Sequence, residues 1–208
     1  MPAEFRPARA DDANAAVPLI YASGPEAFNY VFGPTNKGGA LAYLRAAFRD
    51  GAGEFGYRNH VVGVRAGEVV AAGAGWSSAT TLPFTMAAAR QFFTQFGPFA
   101  AIGAIARGLA TERVVRPPVA TEFCIGHLGV RDDLRGMGLG GALMAYLLAL
   151  GHAQNLATAV LDVAITNPRA EGLYTRMGYR VQVERQADLH NKFGRVVAHR
   201  RMARPLTI

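Results

Sequence analysis

Of the 208 residues, half are hydrophobic and 18% are charged, enough apolar material for a sizeable core, which excludes global disorder. The formal charge is +7, but Lys37 and Lys192 are the only lysines and the arginines are scattered, so no basic run with interleaved aromatics marks a nucleic-acid surface. The single cysteine, Cys124, excludes an intrachain disulfide and fits a reducing, cytoplasmic setting.

The opening residues lack a basic segment followed by an apolar one, so no secretory signal is expected. The most apolar stretch, Leu82 to Ala110, is interrupted by Arg90, Gln91, Gln95 and Arg107 and broken at Gly97-Pro98, so no membrane span is expected. In chain order, Phe5 to Ala10 reads as a strand and Ala13 to Ala22 as a helix capped by Asp12. Ser23-Gly24-Pro25 breaks that helix. Glu26 to Phe32 is short and aromatic, and Gly33-Pro34 closes it. Gly39 to Arg49 places Leu41, Leu44, Ala47 and Phe48 on one helical face. His60 to Arg65 and Val69 to Trp76 flank Ala66-Gly67-Glu68 as a hairpin.

Leu82 to Val115 reads as one or two helices, ended by Arg116-Pro117-Pro118. Glu122 to Val130 is the next strand, and Leu139 to Gln154 a strong helix with Leu143, Leu147 and Leu150 in register. Ala159 to Ile165 is apolar except for Asp162, as in a strand buried on both faces. Pro168 to Met177 is a short helix with Asn167 as N-cap and Gly178 after its end. Tyr179 to Arg185 and Val196 to Ala203 form a closing antiparallel pair. The class is mixed α/β, one domain over residues 1–208 with an apolar helical insertion at 77–121.

Two segments carry chemistry. The first, Arg131 to Gly141, joins a strand to a helix through Gly136, Gly138, Gly140 and Gly141. Glycines let backbone N–H groups approach a ligand, the helix aims its positive end there, and Arg131 and Arg135 add charge-assisted bonds, so the turn suits a phosphate. Gly136, Gly138 and Gly141 also satisfy G-x-G-x-x-G, with Asp162 at about the distance expected of a dinucleotide site. Asp162, however, lies mid-strand, and too little chain follows for a doubly wound domain. The second segment sets Asn167, Ala170 and Tyr174 along one face of the short helix.

Together these segments resemble the GNAT superfamily of N-acyltransferases. Arg135-Gly-Met-Gly-Leu-Gly140 is similar to that family's acyl-CoA loop, and Asn167-x-x-Ala170-x-x-Leu173-Tyr174-x-x-x-Gly178-Tyr179 to its later motif. The resemblance covers Glu122 to Tyr179 and implies a central splayed sheet flanked by helices. It implies acetyl-CoA as co-substrate, a backbone contact to the pantetheine from Leu128, Gly129 and Val130, and a pyrophosphate cradle at Arg135, Gly136, Met137, Gly138, Leu139, Gly140 and Gly141. It further implies that Asn167 contacts the pantetheine and that Tyr174 points at the sulfur as general acid. The implied reaction is direct transfer of an acetyl group to a primary amine of a small molecule or peptide. The alternative is a non-catalytic acyl-CoA sensor.

The attacking amine must lose a proton, so a base is wanted. Glu122 and His127 are the candidates; strand alternation puts them on opposite faces unless a bulge intervenes. Glu26, Phe28 and Tyr30 are candidates for holding a cationic acceptor. Cys124 is expected to be a small core residue, and no metal site is expected, because the histidines lack ligand spacing. The phenylalanines of Leu82 to Val115 cover the acceptor, extend the core or form a homodimer contact.

Overall fold

The computed structural model describes residues 2–33 and 38–206. Seven strands form one sheet in the order β1-β2-β3-β4-β5-β9-β6. These are β1 (Glu4–Pro7), β2 (His60–Arg65), β3 (Glu68–Ser77), β4 (Glu122–Val130), β5 (Thr158–Ala164), β6 (Arg180–Arg185) and β9 (His199–Pro205). A small hairpin, β7 (Leu189–Asn191) with β8 (Gly194–Val196), stands apart. Only β4 and β5 run parallel; every other pairing is antiparallel. A doubly wound dinucleotide domain needs a mostly parallel sheet, so that reading ends here.

Three helices, α1 (Ala13–Ala22), α2 (Pro25–Phe32) and α3 (Gly39–Asp50), precede β2. α1 and α3 bury Val17, Ile20, Leu44 and Phe48 with Val62 and Ala72 of the sheet. α6 (Leu139–Ala153) covers the opposite face, where Leu143, Met144 and Leu147 meet Phe123, Ile125 and Leu161. Burying each such side chain contributes roughly 1.5–3 kcal/mol before entropy is counted. Both faces of β4 are thus covered, in line with its apolar sequence. Between β3 and β4 lie α4 (Thr81–Phe96) and α5 (Pro98–Thr111), split at Gly97-Pro98. They bury Ala87, Phe92, Ala101 and Ala104, while Leu82, Met86, Phe99, Ile102 and Leu109 stay exposed.

Several boundaries differ from expectation for local reasons. β1 ends at Pro7 instead of Ala10, because Ala10–Asp12 forms a 3-10 turn. Asp12 does not cap α1: its carboxylate accepts from the Arg9 N–H at 2.7 Å and from both terminal nitrogens of Arg6. Glu26 to Phe32 proves helical, with Pro25 at its first turn. It ends at Gly33; the Pro34 half of the expected stop lies outside the described residues. The closing strand is β9, which starts three residues and ends two residues later than expected, and nothing in the sequence marks the β7–β8 hairpin.

Candidate active site

The donor side begins where β4 and β5 part. Their pairing consists of Glu122 with Thr158, Phe123 with Ala159 and Cys124 with Val160. Beyond Cys124, β4 stays paired only to β3, and β5 only to β9. The β5-facing backbone groups of the Leu128–Val130 end therefore border an open slot. Gly129 is glycine for a packing reason: a Cβ there would lie 2.1 Å from the Leu19 carbonyl oxygen, so α1 packs directly on this strand end. Leu128 packs beneath α6, its side chain over Gly73.

The turn after β4 leads into the N-terminus of α6. Gly136 (φ 86°) and Gly138 (φ 81°) occupy the left-handed region, with open space where a Cβ would stand. Among the described residues no backbone carbonyl accepts the N–H groups of Gly136, Gly138, Leu139, Gly140 or Gly141; the first helical bond is Ala142 N–H to Gly138. Free N–H groups at the positive end of a 15-residue helix are suited to cradle an anion. Met137 is exposed, and its N–H is used by Leu134. Arg135 pairs with Asp132, and Arg131 with Glu68 at 2.7 Å and Asp133 at 2.8 Å.

α7 (Pro168–Arg176) closes the slot from the β5 side. Asn167 caps it, its side-chain oxygen accepting from Ala170 N–H at 3.1 Å. Leu173 lies against Gly140, 3.3 Å from where a Cβ would be, which ties α7 to the cradle. Tyr174 packs against the α6-side core, and burial pushes its phenol up to about 12, so it keeps its proton at neutral pH.

On the opposite face the deciding feature is a bulge. Ala72 pairs with Gly129 and Ala74 with Gly126, so β4 spends one extra residue there. His127 takes it up at φ 56°, an uncommon conformation for a non-glycine residue and the kind found at functional sites. The bulge turns His127 onto the face of Glu122 and Cys124. Its ring stacks on Phe55 at 4.9 Å and lies near Trp76, Phe28 and His60.

The hydrogen bonds of that ring follow from one fixed acceptor. His60 Nδ1 is 2.9 Å from the Gly56 carbonyl oxygen, which can only accept, so Nδ1 carries the proton. Burial, reinforced by His127, pushes His60 down to about 3, so the ring is neutral and its Nε2 is a lone pair. His127 Nδ1, 3.3 Å away, donates to it. The remaining nitrogen, His127 Nε2, faces the Glu54 carboxylate at 3.2 Å. That contact is a hydrogen bond only when a proton sits between the two.

Beside this relay lies a cavity of about 140 Å3 roofed by α4 and the segment from Glu112 to Pro117 that follows α5. Tyr43, Phe55, Trp76 and Phe84 wall it, Cys124 contributes to its β4 side, and Glu54 and Glu112 face it with Arg116. Burial, with the Glu54 carboxylate second, pushes the Glu112 carboxyl up. A larger open groove of about 500 Å3 runs past Ile165, Gln186 to His190 and Arg195 to Ala198.

The acetyltransferase (GNAT) family model matches residues 60–179, more than half of the chain, spanning the slot, the cradle and α7. The chain belongs to the GNAT family. A phosphinothricin acetyltransferase of Sinorhizobium meliloti, solved with acetyl-CoA, is 17% identical over 99% of this chain and 89% of its own, with a TM-score of 0.56. The ribosomal-protein-S18-alanine N-acetyltransferase of Escherichia coli is 16% identical over 99% and 95%, TM-score 0.56. An agmatine N-acetyltransferase is 17% identical over 99% and 100%, TM-score 0.59. At these identities the structures establish the shared GNAT fold and nothing of the acceptor. No curated protein matches the chain.

Within this GNAT chain the expected residues separate. His127 stands in the aromatic face with Phe28, 6.1 Å from its ring. Glu122 shares that face but is spent elsewhere: it accepts from Arg201 at 2.7 Å and from Val119 N–H at 3.1 Å. Arg201 also holds Asp162 at 2.9 Å and the Arg116 carbonyl at 2.8 Å. Burial pushes Asp162 up to about 6 in spite of Arg201 and Arg185. Tyr30 is buried in the α1–α3 core, and Glu26 lies out beside β8, 3.9 Å from Arg195. Sequence reading missed Glu54, His60 and Glu112, which no motif links to the β4 strand.

Among the described residues no group of three His, Cys, Asp or Glu side chains is arranged to hold a metal ion. Among them, too, no helix is long and apolar enough to cross a membrane.

Proposed function

We propose that the chain is an N-acetyltransferase that moves an acetyl group from acetyl-CoA to a primary amine by direct attack. The carrying observation is the parting of β4 and β5 after Cys124 and Val160, with the unbonded N–H groups of Gly136 and Gly138–Gly141 at its mouth. A strip of free backbone followed by an anion cradle fits a pantetheine arm ending in a pyrophosphate. Leu128, Gly129 and Val130 would bond the arm, Asn167 would meet it from α7, and the span from Arg135 to Gly141 would take the phosphates.

The bound co-substrate supplies a thioester carbonyl as the acyl donor. The chain supplies proton handling on either side of it. His127 takes the proton of the attacking amine on Nε2, where the Glu54 carboxylate then accepts a hydrogen bond from it. His60 holds the ring in the tautomer this requires. A backbone N–H of Leu128–Val130 opposes the negative charge that develops on the carbonyl oxygen. Tyr174, protonated throughout the neutral range, donates to the departing sulfur. Glu122 is the lesser base, since its carboxylate is already engaged by the Arg201 guanidinium at 2.7 Å.

Thermal melting with acetyl-CoA, CoA and NADH tests the donor site. A ligand at 100 times its dissociation constant adds about 2.7 kcal/mol. Stabilisation by the two CoA species and not by NADH is expected, followed by acetylated product from an amine panel. No shift with either CoA species would sink the proposal.

A further inference from the structure

The cavity beneath α4 and the segment after α5 has a composition that the family assignment does not account for. Its walls are the rings of Tyr43, Phe55, Trp76 and Phe84, and its charged groups are two carboxylates against one guanidinium. The polar groups deeper in are already satisfied by one another. Tyr43 donates to Gln91 at 3.3 Å, and Gln91 donates to Asp50 and to the Ala52 carbonyl, each at 3.1 Å. Burial, with Glu54 and Asp50 nearby, pushes the Tyr43 phenol up, so it stays a neutral ring. What remains to be matched is an apolar volume with aromatic faces and surplus negative charge, a combination that attracts a cation on an apolar body.

Position gives the cavity its role. Cys124, on its sheet side, is the last β4 residue paired to β5, so the cavity begins where the slot begins. Phe55, Trp76 and Glu54 are shared: they line the cavity and also contact the His127 ring. An amine entering past Glu112 would run along aromatic faces towards Glu54 and His127.

Resting on the acetyltransferase reading above, we infer that this cavity is the acceptor site, and that the acceptor is a compact primary amine with an apolar body, not a peptide N-terminus or side chain. A volume of about 140 Å3 is the size of a short alkyl or aryl amine.

Trp76 is the only tryptophan in the chain, so its fluorescence reports occupancy of the cavity without turnover. Hexylamine is titrated against hexan-1-ol, its uncharged counterpart, and against a tripeptide amide. The expected result is a saturable change with hexylamine, much weaker with the alcohol and absent with the peptide. Glu112→Gln, at a residue that is exposed overall but whose carboxyl is partly desolvated against the cavity, should weaken hexylamine by about two- to fivefold, the size of a partly exposed ion pair. Ala88→Phe, which fills the cavity, should abolish the response while acetyl-CoA still raises the melting temperature. If Ala88→Phe does not fold, Glu112→Gln and the alcohol decide alone. No Trp76 response to hexylamine, an equal response to the alcohol, or an unchanged Glu112→Gln overturns the inference. Stabilisation by acetyl-CoA in that case leaves the donor reading standing, whereas its loss with an intact Trp76 response overturns the donor reading and leaves the cavity.

Discussion

His127 Nδ1 lies 3.3 Å from His60 Nε2, and it reaches that position because the β4 bulge puts His127 in the left-handed region. A regular strand would turn the ring towards α6, away from Glu54, so the backbone deviation and the relay are one feature. His127→Gln should therefore lower kcat by about 10²- to 10⁴-fold, the usual contribution of a positioned base. The acetyl-CoA melting shift should be unchanged. A pH–rate profile is the decisive measurement: if His127→Gln retains the wild-type rate and profile, His127 is not the base.

His60 makes the fold acid-sensitive. Its folded value of about 3 lies below the ordinary 6.5, so the unfolded chain binds more protons between those limits. Its share of stability is complete above pH 6.5 and falls away as the pH drops towards 3, by about 1.4 kcal/mol per unit. Asp162, raised to about 6, acts with the opposite sign: its share is present below pH 3.8 and is lost as the pH rises through 6. The two partly cancel in the wild type, so the difference from His60→Gln is the readout. Urea melts at pH 7 and pH 5 should show a smaller loss of stability in the variant; equal losses would mean that His60 is not held neutral.

How much of this could be read from the sequence follows from what each feature depends on. The turn at Gly136 and Gly138, the Asn167 cap and the Gly178 stop are local, and residue type alone specifies them. β4 was placed correctly at Glu122–Val130 because its ends are marked by prolines and by the turn. The bulge at His127 was foreseen only as a condition, since no residue type demands it; it arises from pairing with Ala72 and Ala74, fifty residues away. Glu54 and Glu112 escaped notice because they lie in connecting segments whose place is set by α3, α4 and α5 packing. Tyr30, a candidate for holding the acceptor, lies in the core for the same reason: Pro25–Phe32 is a helix whose packing, not its residue types, sets which way the ring faces.

Gly138→Ala tests the cradle. A left-handed backbone with a Cβ costs roughly 1–2 kcal/mol, although no neighbour crowds the position. The apo melting temperature should fall by a few degrees, at roughly 2–4 °C per kcal/mol for a chain of this size. The stabilisation by acetyl-CoA should shrink further, because relaxation of the turn moves the N–H groups. An undiminished ligand shift would remove this turn from the phosphate site.

Arg201 is the hub of the buried charges beneath the slot. Its guanidinium serves Asp162, which is only 2% exposed at the side chain, and Glu122, and it ties down the Arg116 carbonyl where the segment after α5 returns to the sheet. Arg201→Met leaves Glu122 without its guanidinium and Asp162 with only Arg185, 3.5 Å away, and should destabilise the fold by about 3–5 kcal/mol. Glu122→Gln keeps a hydrogen-bond acceptor for Arg201 and should cost far less. Both follow from denaturant midpoints; equal effects would mean that the network is not centred on Arg201.

Tyr174→Phe separates catalysis from binding and from folding. The hydroxyl has no hydrogen-bond partner among the described residues, so its removal should change stability by less than about 0.5 kcal/mol. The ring stays packed on the α6-side core, so the acetyl-CoA melting shift should persist. What the variant loses is the proton offered to the leaving sulfur, and turnover should fall by about 10²-fold or more at unchanged acetyl-CoA affinity. Because burial holds the wild-type phenol at about 12, no loss of rate from its ionisation is expected as the pH rises to 10. A Tyr174→Phe enzyme that turns over at the wild-type rate would assign the leaving-group proton to another donor, and a wild-type alkaline limb below pH 10 that vanishes with this substitution would mean that the phenol ionises lower than its burial implies.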